Sequence, residues 1–184
     1  MTDVILSDET LSSSAYSHVI AVPVEKIDIA DWLFNLPEAE YQRCCPPDHI
    51  SCGATFTDDG TRMSINVEMI GQTLMIQHYV AETATPKLCR MVSTSDAFTP
   101  NGRTRVQVIW TLSVKRVDDT RTEYTNSVVA HPTDSWTLSL STVSASSRPQ
   151  RPGSATAATT IGGKRHCSPK ASRARRSVER SSPA

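Results

Sequence analysis

The segment from Arg103 to His131 constrains the fold more than any other part of the chain. It reads as two long strands, Arg103–Arg116 and Thr122–His131, joined by a polar turn at Asp118-Asp119-Thr120. In the first strand Val106, Val108, Trp110, Leu112 and Val114 fall on one face. Arg105, Gln107, Thr111, Ser113 and Lys115 fall on the other, with Ile109 out of pattern. Alternation with period 2 over this length marks a half-buried antiparallel strand. A hairpin alone is marginal in water, so these strands require a wider sheet and something packed on its apolar face.

The preceding residues supply that sheet. Tyr16–Val24 alternates and reads as a first strand, with Pro23 marking an edge or an exit. Asp28 caps a short helix whose Ile29, Trp32, Leu33 and Leu36 share one face. Pro37 ends it and opens a second helix, Glu38 to Cys45, which Pro46-Pro47 stops. Further strands follow at His49–Thr57, Arg62–Ile70, Thr73–Val80 and Lys87–Ser95, separated by turns at Asp58-Asp59-Gly60, Gly71-Gln72 and Thr83–Pro86. Pro100-Asn101-Gly102 turns into the long pair. The expected fold is α+β: a curved antiparallel seven-stranded sheet with two short helices between strands 1 and 2, in the order β-α-α-β6. Two short helices are too little to cover seven strands, so a further element is expected after His131.

From about Tyr16 to Pro132 the chain resembles the helix-grip superfamily, the Bet v 1-like and START-like domains that include the polyketide cyclase-like SRPBCC proteins. The segment VPVEKIDIADWLFNLPEAEY is similar to the family's first strand and helix pair, and the ordered turns behind it carry most of the resemblance. That resemblance implies a sheet gripping a long C-terminal helix, with a mostly apolar cavity between them. It also implies binding of lipids, steroids, polyketides or other hydrophobic molecules, with cyclase or dehydratase activity in some members.

The C-terminus departs from this pattern. Through Asp134 the chain carries 18 Asp+Glu and 10 Lys+Arg, a net of −8; from Ser135 on it carries 1 acid and 9 bases, a net of +8. Residues 135–184 hold 12 Ser, 7 Arg, four Pro and three Gly, so a continuous helix is not expected there and the C-terminal helix reads as absent or disrupted. One reading is a native basic tail that contacts acidic surfaces or RNA. The other is a translational frameshift: read from the third base of each codon, Ala145 to Gly153 permits the helix-forming run EQQAAAAR. The expected organisation is a disordered segment 1–14, a ligand-binding domain 15–134 and a disordered basic tail 135–184.

The acidic domain argues against nucleic acid as its partner. No stretch approaches the roughly 20 apolar residues of a membrane span. Asp3, Asp8 and Glu9 stand where a signal peptide would carry bases and an apolar core, so a cytoplasmic location is expected. The five cysteines show no disulfide framework and read as reduced thiols. Cys44, Cys45, His49 and Cys52 lack the paired spacing of a zinc site, and neither metal nor cofactor is expected.

Candidate site residues follow from the alternation. Leu74, Ile76, His78 and Val80 share a face, so His78 is placed toward the cavity as a ligand contact or an acid–base group; the alternative is a hydrogen-bonded or edge histidine. Trp32, Ile65, Val67, Ile76, Val108 and Trp110 are the apolar wall candidates, and Met63, Met69, Met75 and Met91 suit an adaptable pocket. Arg90 is placed either against a ligand carboxylate or on an exposed strand face, and His131 at a strand end. No nucleophile elbow, P-loop, HExxH or dinucleotide fingerprint appears. The expected function is binding of a small hydrophobic molecule. The alternatives are a cyclase or dehydratase using a pocket histidine, and an interaction module with a basic tail.

Overall fold

The computed structural model describes residues 3–138. β1 (Ser12–Ile20) leads through a 3-10 turn (Val24–Lys26) to α1 (Ile29–Phe34) and α2 (Glu38–Cys44). Six strands follow: β2 (His49–Phe56), β3 (Arg62–Ile70), β4 (Thr73–Ala84), β5 (Leu88–Thr99), β6 (Gly102–Arg116) and β7 (Thr122–Pro132). They form one curved antiparallel sheet in the order β1-β7-β6-β5-β4-β3-β2. The fold is α+β, with the strand and helix order that the helix-grip resemblance implies. Among the described residues no helix is long and apolar enough to cross a membrane.

Tight turns explain the meander. Ile70 pairs with Thr73 around Gly71-Gln72, and Gly71 holds a φ of 63°, a left-handed backbone that a side chain would strain. The β6–β7 turn is held by Asp118, which accepts from the Thr120 amide at 2.9 Å and from Arg121 Nε at 2.7 Å. Hydrogen bonding to Arg121 and then to Thr120 holds its carboxyl down at about 2.

α1 begins where a cap is available. The Asp28 carboxylate accepts from the Asp31 amide at 2.8 Å, and Ile29, Ala30, Leu33 and Phe34 are buried. Six residues are too few to hold a helix by backbone bonds alone, so capping and this apolar face decide it. Asp28→Ala is expected to cost about 1 kcal/mol, read as a lower midpoint in urea; an unchanged midpoint would show that packing alone sets α1.

Cross-strand register sorts the sheet into two faces. The inner face carries Met91 of β5 opposite Trp110 of β6, and Val108 of β6 opposite Ala130 of β7. Buried Leu112, Val106, Tyr124 and Met75 join Ile29, Leu33 and Phe34 of α1 in one apolar cluster, with Trp32 and Trp110 packed against it. The expected face of Arg103–Arg116 is therefore the buried one. A β-bulge between Ala81 and Thr83 shifts the β4–β5 register by one residue. Glu82 lies at the bulge and pairs with Arg90, so Arg90 is an ion-pair partner on the strand face.

Several boundaries differ from the sequence reading. β1 starts and ends four residues earlier than the expected Tyr16–Val24, because its pairing with β7 runs from Ser12↔Ala130 to Ile20↔Thr122. Nor is the stretch before residue 15 free. Ile5 bridges Thr133, the Leu6 amide donates to Pro132 O at 2.9 Å, and Leu11 donates to Ala130 O at 2.8 Å. A helical turn over 134–138 follows β7, with the Thr133 hydroxyl accepting from the Trp136 amide at 3.2 Å and Trp136 packed on the core. The boundary at 135 thus falls inside an ordered turn; the rest of the basic tail, and with it the choice between native tail and frameshift, lies outside the described residues. The expectation of reduced thiols fails at Cys44, which is disulfide-bonded, whereas Cys45, Cys52 and Cys89 form no disulfide. Burial pushes the Cys89 thiol up to about 11, so it packs as a small apolar group.

Candidate functional site

The inner face is not uniformly apolar. Across β3, β4 and β5 it carries Ser64, Asn66, Glu68, Gln77, Ser93 and Ser95, all buried. Register brings them together: Ser64 lies opposite Tyr79, Asn66 opposite Gln77 and Glu68 opposite Met75. Half of the sheet is therefore an apolar floor and the other half a polar corner, the two meeting where Tyr79 and Trp110 approach with centroids 5.3 Å apart.

Some of these polar groups satisfy one another. Ser64 Oγ donates to Asn66 Oδ1 at 3.1 Å, Ser95 Oγ to Ser93 Oγ at 3.0 Å, and the His78 amide to Ser93 Oγ at 2.8 Å. Others do not. Both amide atoms of Gln77 and the hydroxyls of Tyr79 and Tyr41 have no hydrogen-bond partner among the described residues. These side chains belong to residues 1%, 0% and 4% exposed. An unsatisfied buried polar atom costs about 1–3 kcal/mol, so a cluster of four is a strong departure from ordinary interiors.

Charge lies close by. Glu68 is buried and His49 Nε2 stands 3.6 Å from its Oε2. The Tyr41 ring of α2 stacks on His49 of β2, centroids 3.9 Å apart and 6° from parallel. Burial first, and the Glu68 charge second, push both the Tyr41 and the Tyr79 hydroxyls above the ordinary phenol value. Both therefore remain O–H groups, able to donate.

The sequence-derived candidates divide. Val108 is buried on the inner face, Trp110 lies there with its indole N–H donating to Asn126 Oδ1 at 2.9 Å, and Trp32 packs against the same cluster. Ile65, Val67, Ile76 and His78 do not join them. Ile65 pairs with His78 and Val67 with Ile76 on the outer face, where His78 is exposed. The pocket role expected for His78 is corrected on this ground: an exposed side chain on the outer face cannot act inside. Met75 and Met91 face inward and are buried, whereas Met63 and Met69 face outward. His131 is bonded through Nδ1 to Glu9 O at 2.7 Å.

Tyr41, Glu68, Gln77 and Tyr79 are not among the site residues that the sequence suggests, and His49 enters there only in the rejected zinc spacing. The available signal was the polar alternation Ser64-x-Asn66-x-Glu68, which reads as a solvent face until cross-strand register turns it inward. A separate cavity of about 300 Å³, lined by Asp3, Arg103, Thr104, Arg105 and Ser135, is polar. Its arginines are already engaged, Arg103 and Arg105 with Asp96 at 2.9 and 3.0 Å and Arg105 with Asp3 at 3.5 Å. Among the described residues no group of three or more His, Cys, Asp or Glu is placed to hold a metal ion.

No protein-family model matches this chain, and no curated protein matches it. Solved structures share its outline at low identity. A START superfamily protein from Mycobacterium smegmatis aligns at 14% identity and a TM-score of 0.45, over 66% of this chain and 77% of that one. The Zhui aromatase/cyclase from a Streptomyces species aligns at 10% identity and 0.46, over 66% and 68%. A norcoclaurine synthase point mutant from Thalictrum flavum aligns at 11% identity and 0.47, over 76% and 86%.

Proposed function

We propose that the domain binds a small, mostly hydrophobic molecule against the inner face, and that this molecule carries an oxygen function which the polar corner receives. The observation that carries the reading is the set of unsatisfied, buried polar atoms on Tyr41, Gln77 and Tyr79, beside an apolar floor that includes Trp110 and Val108. An apolar body on the floor gains from burial, and a carbonyl or hydroxyl at its end meets donors and acceptors that have no partner among the described residues. The outer-face position of His78 speaks against that residue as a pocket acid or base.

Two probes of the same shape test it. Tetralin and 2-tetralone differ by one carbonyl oxygen, and their binding is measured by displacement of a fluorescent hydrophobe. Saturable binding of both is expected, with the ketone bound about tenfold more tightly, a difference of roughly 1.4 kcal/mol. That preference should vanish in Gln77→Leu/Tyr79→Phe. Absence of saturable binding by folded protein, or equal affinity for the two probes, would overturn the reading.

A further inference from the structure

The polar corner also contains an acid–base pair. His49 Nε2 and Glu68 Oε2 stand 3.6 Å apart, on side chains 12% and 5% exposed. His49 Nδ1 lies 2.8 Å from the Tyr41 carbonyl oxygen. A carbonyl only accepts, so Nδ1 carries a hydrogen, and Nε2 is the ring nitrogen that faces the carboxylate. At 3.6 Å the two atoms are just beyond hydrogen-bond distance. The Tyr41 stack holds the imidazole in this orientation. His49 pairs with Glu68 across β2 and β3, and Glu68 lies on the same face as the Asn66–Gln77 and Ser64–Tyr79 pairs, so the carboxylate and the polar atoms of Gln77 and Tyr79 share the corner.

Resting on the binding reading above, we propose that Glu68 and His49 move a proton to and from a carbonyl compound held on the inner face. Glu68 takes the proton from the carbon next to the carbonyl. The C–H bond breaks, and its electron pair passes into the C–C–O system as an enolate. The proton then rests on Glu68 Oε2, beside His49 Nε2. The enolate oxygen accepts from the Tyr79 hydroxyl and the Gln77 amide, donors that have no other partner among the described residues. Return of the proton to the same carbon, or to a conjugated one, restores the pair and needs no further reactant. The substrate class is a mostly apolar ketone or similar carbonyl compound with an acidic C–H beside the carbonyl. Glu68 is the catalytic residue. His49 acts through Glu68 and is a positioning residue.

The test is exchange of the C1 hydrogens of 2-tetralone in D2O, followed by proton NMR, with binding of the same ketone measured in parallel. Wild-type protein is expected to accelerate exchange over buffer. Glu68→Gln should lose about 10²-fold or more of that acceleration while the ketone still binds. Glu68→Asp, which keeps the charge but withdraws it by one methylene, covers the case in which the glutamine variant does not fold, and should also slow exchange. His49→Phe retains the aromatic stack; it should lower the rate at saturating ketone and leave the half-saturation concentration unchanged. Binding without acceleration, or acceleration unchanged in folded Glu68 variants, overturns the proton-transfer proposal and leaves the binding reading standing. No binding of the ketone overturns both.

Discussion

Gln77→Leu/Tyr79→Phe is expected to make the ligand-free protein more stable, by on the order of 2–4 kcal/mol, while it removes the preference for an oxygen-bearing ligand. The sign is the informative part. Most core substitutions destabilise, because they open cavities or strain packing. Here the substitutions keep side-chain volume nearly constant and delete three polar atoms that have no partner among the described residues. On the proposed reading these atoms are kept for recognition at a cost in stability. Chemical denaturation of the double variant checks it, with circular dichroism to confirm the fold. A loss of stability would mean that ordered water already satisfies these atoms, and that the corner is structural.

Leu112→Ala should lower stability by about 2–5 kcal/mol, a fall in melting temperature on the order of 10 °C or more. Leu112 is fully buried on the inner face, opposite Cys89 of β5 and Asn126 of β7. The methylenes removed leave a void that two flanking strands cannot close by moving. Ile109→Ala on the outer face of the same strand is the matched control, and it should cost less than half as much because Ile109 is only half-buried. Equal losses at the two positions would contradict the assignment of faces in β6.

Why β6 could be read from its sequence, and β4 could not, comes down to one residue. In β6 hydrophobicity and burial agree: Val106, Val108, Leu112 and Val114 are apolar and buried, with Trp110 on the same face. The turns around Gly60 and Gly71, and the Asp28 cap, are local chemistry and were equally legible. In β3 and β4 the sets expected inside face outward; burial follows Ser64, Asn66 and Glu68 in β3, and Met75, Gln77 and Tyr79 in β4. The register beside the β4–β5 turn pairs Ala84 with Cys89 and Thr83 with Arg90. Continued without interruption it would set His78 opposite Ser95, on the inner face. The bulge pairs Ala81 with Met91 and Val80 with Val92, which sets Tyr79 inward and His78 outward. A slip of one residue exchanges every side chain between faces. No glycine or proline marks this bulge; Glu82 occupies it, and its ion pair with Arg90 becomes visible only in three dimensions. The site residues were hidden for the same reason, since Ser64, Asn66, Glu68 and Gln77 have the composition of a solvent face.

The place of β1 at the sheet's edge bears on how the chain reaches this state. The strands from β2 to β7 join neighbour to neighbour, so each hairpin closes only a short loop. β1 instead waits for β7, and contacts such as Ser17 Oγ to Thr125 Oγ1 link residues 108 apart in sequence. Loop-closure entropy makes that the late step, with β1 docking onto a meander already formed. During synthesis β1 emerges first and stays unpaired until the last strand has left the ribosome. Once β7 has emerged, and before β1 docks, its open edge offers its ladder to any β1 of the same sequence. Two nascent chains that exchange first strands would satisfy the same hydrogen bonds as two correctly folded monomers, which makes strand exchange the natural misassembly of this topology.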